Sequence, residues 1–269
     1  MATATLLSML TARRVSSSLA KVKVIVAFPF GGRFVPPEWA IAISVLKFPP
    51  GINNAYVFTK GMARAEARTF LCEKAIEAEA EYLLFLDDDT APPMDAPLQL
   101  IMAMDQADED VAACGGIYTT KADPAMPLVY KEEHGGPFWR WKYGEVFECG
   151  LVATGCMLIR LSALKDIPKP WFRDILSVED AKDDPIAFDP KGQRPDAFEM
   201  TDDVYFCKKL AFHGKKILAH GGVLPIHISQ DGRAHTLPED RGPLKGVPPE
   251  KLWYRRFLES VKEDEKQLA

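Results

Sequence analysis

The stretch Tyr82-Leu83-Leu84-Phe85-Leu86-Asp87-Asp88-Asp89 decides how this chain is interpreted, because an apolar run ends abruptly in three carboxylates. The apolar residues predict a buried strand. Neighbouring like charges repel one another, so a strand end tolerates them mainly where solvent or a cation compensates them. Two interpretations are open on this stretch alone. It is a solvated acidic turn, since Asp and Pro favour turns, or it is a site for a hard divalent metal.

The chain around this stretch alternates predicted strands with predicted helices. Strands are predicted at 21–28, 54–59, 82–86 and 110–118, and helices at 38–46, 61–80 and 94–106. This alternation predicts an α/β fold, in which a mostly parallel central sheet is flanked by helices and ligands bind at the carboxyl ends of the strands. The three Asp residues lie at such an end.

The pattern changes after residue 120. Short apolar runs between 126 and 160 predict a small antiparallel or mixed extension of the sheet. The acidic, proline-broken segment 174–203 predicts an irregular, mobile loop. A helix is predicted from Thr201, a good amino-terminal cap, to Gly214, and a core strand at 216–220. The tail is predicted to be helical from about Pro249.

Composition restricts the class of protein. The chain has 269 residues, of which 47% are hydrophobic and 26% charged, so it can bury a full core. Its apolar stretches all fall short of the roughly 20 residues needed to span a bilayer, which predicts a soluble protein. The net charge of -5 argues against nucleic-acid binding through bulk charge. Five dispersed cysteines without a CxxC pair suit reduced, packed thiols and predict a cytoplasmic location.

The order of four motifs identifies a family resemblance. The three Asp residues are followed by Thr154-Gly155-Cys156, by Thr201-Asp202-Asp203 at a helix start, and by His227. From about Val22 to His227 the chain resembles the GT-A glycosyltransferases, specifically the family 2-like branch. The resemblance implies a Rossmann-like GT-A fold and a hexosyltransferase-type enzyme. It implies a UDP- or GDP-linked sugar donor and a hydroxyl acceptor.

The resemblance also implies a metal site. Asp87 and Asp89 match the DxD carboxylates that hold Mn²⁺ or Mg²⁺ on the diphosphate of the donor. Asp88 lies between them, and because three Asp residues leave the register open, Asp88 is a candidate for contact with the ribose or the donor sugar. His227 lies where several metal-dependent relatives place a third protein ligand, and imidazole suits Mn²⁺ better than Mg²⁺. The alternative is a structural histidine among apolar neighbours.

The block from Thr201 to Cys207 resembles the ED-x-x-F-C block of the family, in which the second acid is the general base of inverting members. The resemblance places the base at Asp203 and an acceptor-contacting or positioning acid at Asp202, and it implies inversion. The chain departs from the pattern by having Asp202 where Glu is usual. The alternative is that both acids only stabilise the amino terminus of a helix through its dipole.

Further candidates lie around the implied substrates. Arg64 and Arg68 stand one helical turn apart and point to one face, either towards a nucleotide or towards solvent. Trp171 is a candidate for sugar stacking, although core packing is the commoner role of such residues. The predicted donor-side residues are Pro29, Arg33, Arg64, Arg68, Asp87 and Asp88, and the predicted acceptor-side residues are Thr154, Gly155 and Trp171.

The predicted organisation is a flexible leader at 1–20 and one GT-A domain at 21–228. Its nucleotide-binding half reaches about 120 and its acceptor half covers 121–228, and a Pro-rich loop with a carboxyl-terminal helix follows at 229–269. Two alternative functions remain. A haloacid-dehalogenase-like phosphatase also places DxD after an apolar strand, but its pattern wants Thr or Val where this chain has Ala91. A non-catalytic nucleotide-sugar-binding domain would keep the fold without turnover.

Overall fold

The structure, a computed structural model, describes residues 23–32, 34–132, 135–182, 184–187 and 200–268, without the side chains of residues 178 and 261–268. The predicted leader and Arg33 lie outside the described residues. The strands are β1 (Val24–Phe30), β2 (Asn54–Lys60), β3 (Tyr82–Leu86), β4 (Thr90–Ala91), β5 (Val111–Gly116), β6 (Val129–Tyr130), β7 (Val146–Cys149), β8 (Leu151–Val152), β9 (Cys156–Arg160), β10 (Lys216–His220), β11 (Ile226–Ile228) and β12 (Ala234–His235). The α-helices are α1 (Pro37–Ser44), α2 (Arg64–Glu77), α3 (Ala96–Gln106), α4 (Val178–Ala181), α5 (Asp202–Phe212) and α6 (Trp253–Leu268).

The described part of the chain forms a central sheet of seven strands in the order β2-β1-β3-β9-β5-β10-β7. Strands β2, β1, β3, β5 and β10 run in one direction, and β9 and β7 run in the other. Helix α2 packs on β1 and β2, α3 packs on β5 and β9, and α5 packs on β8 and β10. Small antiparallel sheets accompany the central one. The predicted α/β architecture is therefore confirmed.

Strand β9 lies in the middle of the sheet, a position that the predicted antiparallel or mixed extension from segment 126–160 did not specify. It pairs antiparallel with both β3 and β5. Cys156, Met157, Leu158 and Ile159 are completely buried. A run of consecutive apolar residues is suited to a sheet covered on both faces, whereas a strand with one face in water alternates apolar and polar residues. The apolar composition of β9 thus explains its central place.

A three-stranded antiparallel sheet, in the order β12-β11-β4, places β11 beside the acidic residues at the end of β3. Strand β4 follows Asp89 directly, and β11 pairs with β4 so that His227 lies opposite Thr90. The backbone N–H of Ile228 donates a hydrogen bond to the carbonyl of Asp89 at 2.7 Å. Strand β11 therefore holds His227 beside the carboxyl end of β3.

The segment predicted to be an irregular loop contains ordered structure where it is described. Residues 183 and 188–199 lie outside the described part, and α4 and an antiparallel bridge between Ile175 and Met200 lie within it. Asp184 anchors this segment, because its carboxylate accepts hydrogen bonds from Arg173 at 2.8 Å and from the Tyr205 hydroxyl at 2.9 Å. The prediction missed these long-range contacts of Asp184. A small apolar cluster surrounds them, formed by Ile175, Ala181, Ile186, Ala187, Met200 and Tyr205.

The carboxyl-terminal helix α6 packs against the main core. The indole N–H of Trp253 donates to the carbonyl of Leu224 at 2.8 Å, and the Trp253 ring contacts Phe257. In the ranges that the structure covers, none of the helices combines the length and the apolar character needed to cross a membrane. All five cysteines are buried.

Strand β3 is completely buried, so the loss of one of its side chains should lower the stability of the protein. We expect Leu84→Ala to lower the free energy of unfolding by about 2–5 kcal/mol, because the Leu84 side chain is completely buried and its loss leaves a cavity. The matched control is Leu176→Ala, where the side chain is 72% exposed and the expected change is within about 0.5 kcal/mol. Urea unfolding measures both, and equal effects of the two substitutions would contradict the central place of β3.

Candidate functional site

Backbone hydrogen bonds from three elements hold the acidic end of β3. The N–H of Asp87 donates to the Gly155 carbonyl at 3.0 Å, which ties this end to the loop before β9. The Asp87 carbonyl accepts from the Trp39 indole at 2.7 Å, and the Asp89 carbonyl accepts from Ile228 at 2.7 Å. Because α1, the β9 loop and β11 each fix part of this backbone, the three carboxylates project from a rigid base.

A cavity of about 380 Å³ lies at this end of the sheet. Its volume falls in the range of small-molecule sites, which is about 300–1,000 Å³. Its walls carry carboxylates and cations together. The lining residues are Pro29, Gly31, Met62, Arg64, Arg68, Asp87, Asp88, Asp89, Tyr118, Lys121, Leu128, Asp203 and His227.

Arg68 bridges two carboxylates that come from different elements. Its side chain is only 2% exposed. One terminal nitrogen donates to both oxygens of Asp87, at 2.8 and 2.7 Å, and the other bonds to Asp202 at the start of α5. Burial alone would lower the pKa of Arg68, but Asp87 and Asp202 outweigh it and raise the pKa, so the guanidinium stays charged. The bridge therefore joins the end of β3 to the amino terminus of α5.

This bridge changes the interpretation of Arg68. The sequence placed it beside the nucleotide, but two carboxylates use its terminal nitrogens and almost none of its surface reaches solvent. Arg64, one turn earlier, is the exposed member of the pair at 60% and lines the cavity. Its guanidinium lies 4.0 Å from Oδ1 of Asp202, an oxygen without a hydrogen-bond partner among the described residues. Arg64 is thus the arginine that a ligand can reach.

Asp89 lies between two basic side chains. Its Oδ2 accepts a hydrogen bond from Nζ of Lys121 at 2.7 Å, and its Oδ1 lies 3.6 Å from Nε2 of His227. Burial alone would raise the pKa of Asp89, but the contacts with His227 and Lys121 outweigh it and hold the pKa well below the usual range. Asp89 is therefore an ionised carboxylate.

The ring of His227 is oriented by the backbone of the loop after β5. Its Nδ1 lies 2.7 Å from the carbonyl oxygen of Thr119, and because a carbonyl only accepts, Nδ1 carries the proton. Nε2 faces Oδ1 of Asp89. In the charged ring Nε2–H donates to this carboxylate, which is the form that lowers the pKa of Asp89. In the neutral ring Nε2 presents a lone pair to it instead. Two lone pairs that face each other leave room for a proton or a metal ion between them. Metal-ligating histidines are commonly held by such a bond at the other nitrogen.

The donor set of this pair suits Mn²⁺, since Mn²⁺ accepts both carboxylate oxygen and imidazole nitrogen. The three predicted protein ligands do not converge, however. In the described ranges no group of three or more His, Cys, Asp or Glu side chains is arranged to hold a metal. Both oxygens of Asp87 are directed at Arg68 instead. The residues present therefore fit an ion held by Asp89 and His227, with its remaining ligands supplied by water or substrate.

Asp88 and Asp203 line the same cavity and come from different elements. Asp88 is buried, and its Oδ2 accepts from the backbone N–H of Gly31 at 3.2 Å, on the loop after β1. Asp203 lies in the first turn of α5, where its Oδ1 accepts from Val204 N–H at 2.9 Å and from the Thr201 hydroxyl. Thr201 makes no side-chain capping bond to the helix, so the predicted cap instead orients Asp203. Oδ2 of Asp203 has no hydrogen-bond partner among the residues described.

The predicted acceptor-side residues do not line the cavity. A Cβ on Gly155 would lie 2.5 Å from the Tyr118 hydroxyl and 2.9 Å from Thr90, so this glycine admits a side chain of the protein rather than a ligand. Thr154 is buried. Trp171 is also buried, and its indole donates to the Ile167 carbonyl at 2.9 Å, so it packs in the core.

Sequence reasoning missed several lining residues, of which Lys121 and Tyr118 are polar. The Tyr118 hydroxyl accepts from Gly155 N–H at 3.0 Å, and its ring packs edge-on against His227 with centroids 5.1 Å apart. Both residues follow the carboxyl end of β5, which points to the same edge of the sheet as β3. That placement was the signal available in the sequence, because ligands of such sheets bind at this edge.

Comparisons with known proteins concern the fold. No protein-family model matches the chain, and no curated protein sequence matches it. Among solved structures, A197 from STIV is 18% identical over 80% of this chain and 94% of that chain, with a TM-score of 0.51. This likeness shows a shared fold and does not extend to activity.

Two other structures match less well. The structure of GalNAc-T7 with UDP, GalNAc and Mn²⁺ is 13% identical over 88% of this chain and 48% of that chain, with a TM-score of 0.49. The structure of S. aureus TarS residues 1–349 is 12% identical over 75% of this chain and 60% of that chain, with a TM-score of 0.42. The chain thus spans about half of one and three fifths of the other, and we draw no functional argument from them.

The Arg68 bridge predicts a large loss of stability when the cation is removed. We expect Arg68→Met to lower the free energy of unfolding by about 3–5 kcal/mol, because it leaves Asp87 and Asp202 without their shared partner. The control is Arg64→Met, at an exposed neighbour on the same helix, with an expected change within about 0.5 kcal/mol. Urea unfolding at neutral pH is the measurement. An Arg68→Met protein as stable as the parent would show that the bridge is not a structural constraint.

Proposed function

We propose that this chain is a metal-dependent glycosyltransferase of GT-A fold, which transfers a sugar from a UDP- or GDP-linked donor to a hydroxyl acceptor. One observation carries the proposal. A single cavity at the carboxyl end of β3 is lined by the Asp89–His227 pair and by Asp203, whose Oδ2 has no hydrogen-bond partner among the described residues. Such an arrangement offers a place for an anionic leaving group and a separate place for a proton acceptor.

The donor diphosphate is assigned to the Asp89 side of the cavity. Asp89 and His227 would hold Mn²⁺ or Mg²⁺, and the ion would supply the positive charge that stabilises the departing nucleoside diphosphate. Arg64 lies within the same cavity wall with an exposed guanidinium that suits a phosphate oxygen. Pro29 and Gly31, at the end of β1, form the wall against which the nucleoside would lie.

Asp203 is assigned the role of general base. Thr201 and the N–H of Val204 hold its Oδ1, which fixes the carboxylate, and its Oδ2 is the oxygen assigned to the acceptor hydroxyl. Removing the proton as the hydroxyl oxygen attacks the sugar makes that oxygen a stronger nucleophile. Attack from the side opposite the leaving diphosphate would invert the anomeric configuration.

Asp202 is assigned a positioning role rather than an acceptor contact. Its side chain is completely buried, and its Oδ2 bonds to Arg68. Its backbone N–H donates to Asp174 at 3.0 Å, which further fixes the start of α5. Asp202 thereby holds the first turn of the helix from which Asp203 projects.

The phosphatase alternative is less well supported by the site. That chemistry needs an Asp oxygen free to attack phosphorus, and the candidate at the end of β3, Asp87, has both oxygens bonded to Arg68. A non-catalytic nucleotide-sugar-binding domain would keep the cavity but would not turn over. The cytoplasmic location and the inverting outcome stay predictions.

Two substitutions separate binding from chemistry. We expect Asp89→Ala to abolish Mn²⁺-dependent binding of UDP or GDP, because Asp89 is the carboxylate of the proposed metal pair. We expect Asp203→Asn to keep that binding and to reduce sugar transfer or donor hydrolysis by about 10²–10⁴-fold, the usual contribution of a general base. Isothermal titration measures binding, and release of the nucleoside diphosphate from a panel of UDP- and GDP-sugars measures turnover.

The control for both substitutions is Asp231→Asn, at an exposed turn outside the cavity, which should change neither readout. Equal loss of nucleotide binding in both cavity variants would contradict the division of roles. A parent protein that binds UDP or GDP with Mn²⁺ but releases no nucleotide from any donor would support the non-catalytic alternative instead.

A further inference from the structure

We propose that Lys121 is a second, built-in cation for the donor diphosphate. In the free protein it pairs with Asp89, and when a divalent ion takes its place on that carboxylate its ammonium moves to the terminal phosphate of the nucleoside diphosphate. The inference rests on the proposed function and adds a diphosphate-contacting residue to it.

The first argument is the place of Lys121 in the cavity. It lies on the loop between β5 and β6 and lines the same space as Asp89 and Arg64. Its Nζ lies 2.7 Å from Oδ2 of Asp89, whereas His227 faces the other oxygen of that carboxylate. The side chain is 29% exposed, so the ammonium is open to the cavity.

The second argument is that the loop is anchored while the side chain can move. Thr119 forms an antiparallel bridge with Pro127, and Thr120 N–H donates to the Met126 carbonyl at 2.8 Å. These bonds hold the backbone immediately before Lys121. The four-carbon stem of lysine is flexible, and its ammonium has three donors without a fixed direction. Transfer of the ammonium therefore requires rotation of one side chain and no rearrangement of the loop.

The third argument is electrostatic. A divalent ion bound through Asp89 would lie within a few ångströms of the ammonium, and like charges at that separation repel strongly in a partly enclosed site. Both oxygens of Asp87 are already bonded to Arg68. The diphosphate brings new negative charge into the same cavity, so it is the strongest available partner for the displaced ammonium.

The experiment measures binding with Lys121→Met, which keeps the stem and removes the charge. Without nucleotide, Mn²⁺ binding followed by electron paramagnetic resonance should become tighter by about fivefold or more, because the competing cation is gone. With saturating Mn²⁺, calorimetry should show UDP and GDP binding weakened by about fivefold or more. Binding of UMP and GMP, which lack the terminal phosphate, should change little.

The matched control is Lys131→Met, because Lys131 bonds to the Glu148 carbonyl and lies outside the cavity lining. Lys121→Gln provides a second neutral variant if the Met protein folds poorly. Unchanged Mn²⁺ affinity, or equal weakening of monophosphate and diphosphate binding, would overturn the role of Lys121. Failure of the parent protein to bind UDP or GDP with Mn²⁺ would instead overturn the proposed function, so the two failures are distinguishable.

Discussion

The buried guanidinium of Arg68 is the constraint on which the site depends. It holds Asp87 at the end of β3 and Asp202 at the start of α5, two elements that are far apart in sequence. Charged groups of this kind are costly to bury unless each has a partner, so the two elements must keep this separation for the protein to stay folded. Asp89 and Asp203, which follow these residues on the two elements, are thereby held in the lining of one cavity.

The three neighbouring carboxylates of the acidic run have three different environments. This bears on whether the run is a solvated turn or a metal site. Asp87 is bonded to Arg68, Asp88 to the backbone N–H of Gly31, and Asp89 to Lys121 and His227. Side chains and backbone of the protein already compensate much of the negative charge. A divalent ion is consequently assigned to one carboxylate, Asp89, rather than to the whole run.

The sequence was sufficient for the architecture and for part of the site. Periodicity predicted β3 and the alternating helices because each is set by local apolar spacing. It did not predict the central position of β9, since pairing order depends on contacts between distant segments. It also did not predict the partners of Arg68 on β3 and α5, which depend on three-dimensional proximity, and it missed Lys121 on a loop without a motif. The close packing of Tyr118 against Gly155 is likewise visible only in the folded chain.

The central claim is that Asp89 and His227 hold a divalent ion on a nucleoside diphosphate in this cavity. Anomalous diffraction from crystals grown with Mn²⁺ and UDP or GDP tests it most directly, because manganese gives its own signal. The account predicts one anomalous peak within bonding distance of the Asp89 carboxylate and Nε2 of His227, with the diphosphate oxygens on its far side. A nucleotide bound in the cavity without such a peak, or with the peak on Asp87, would contradict it.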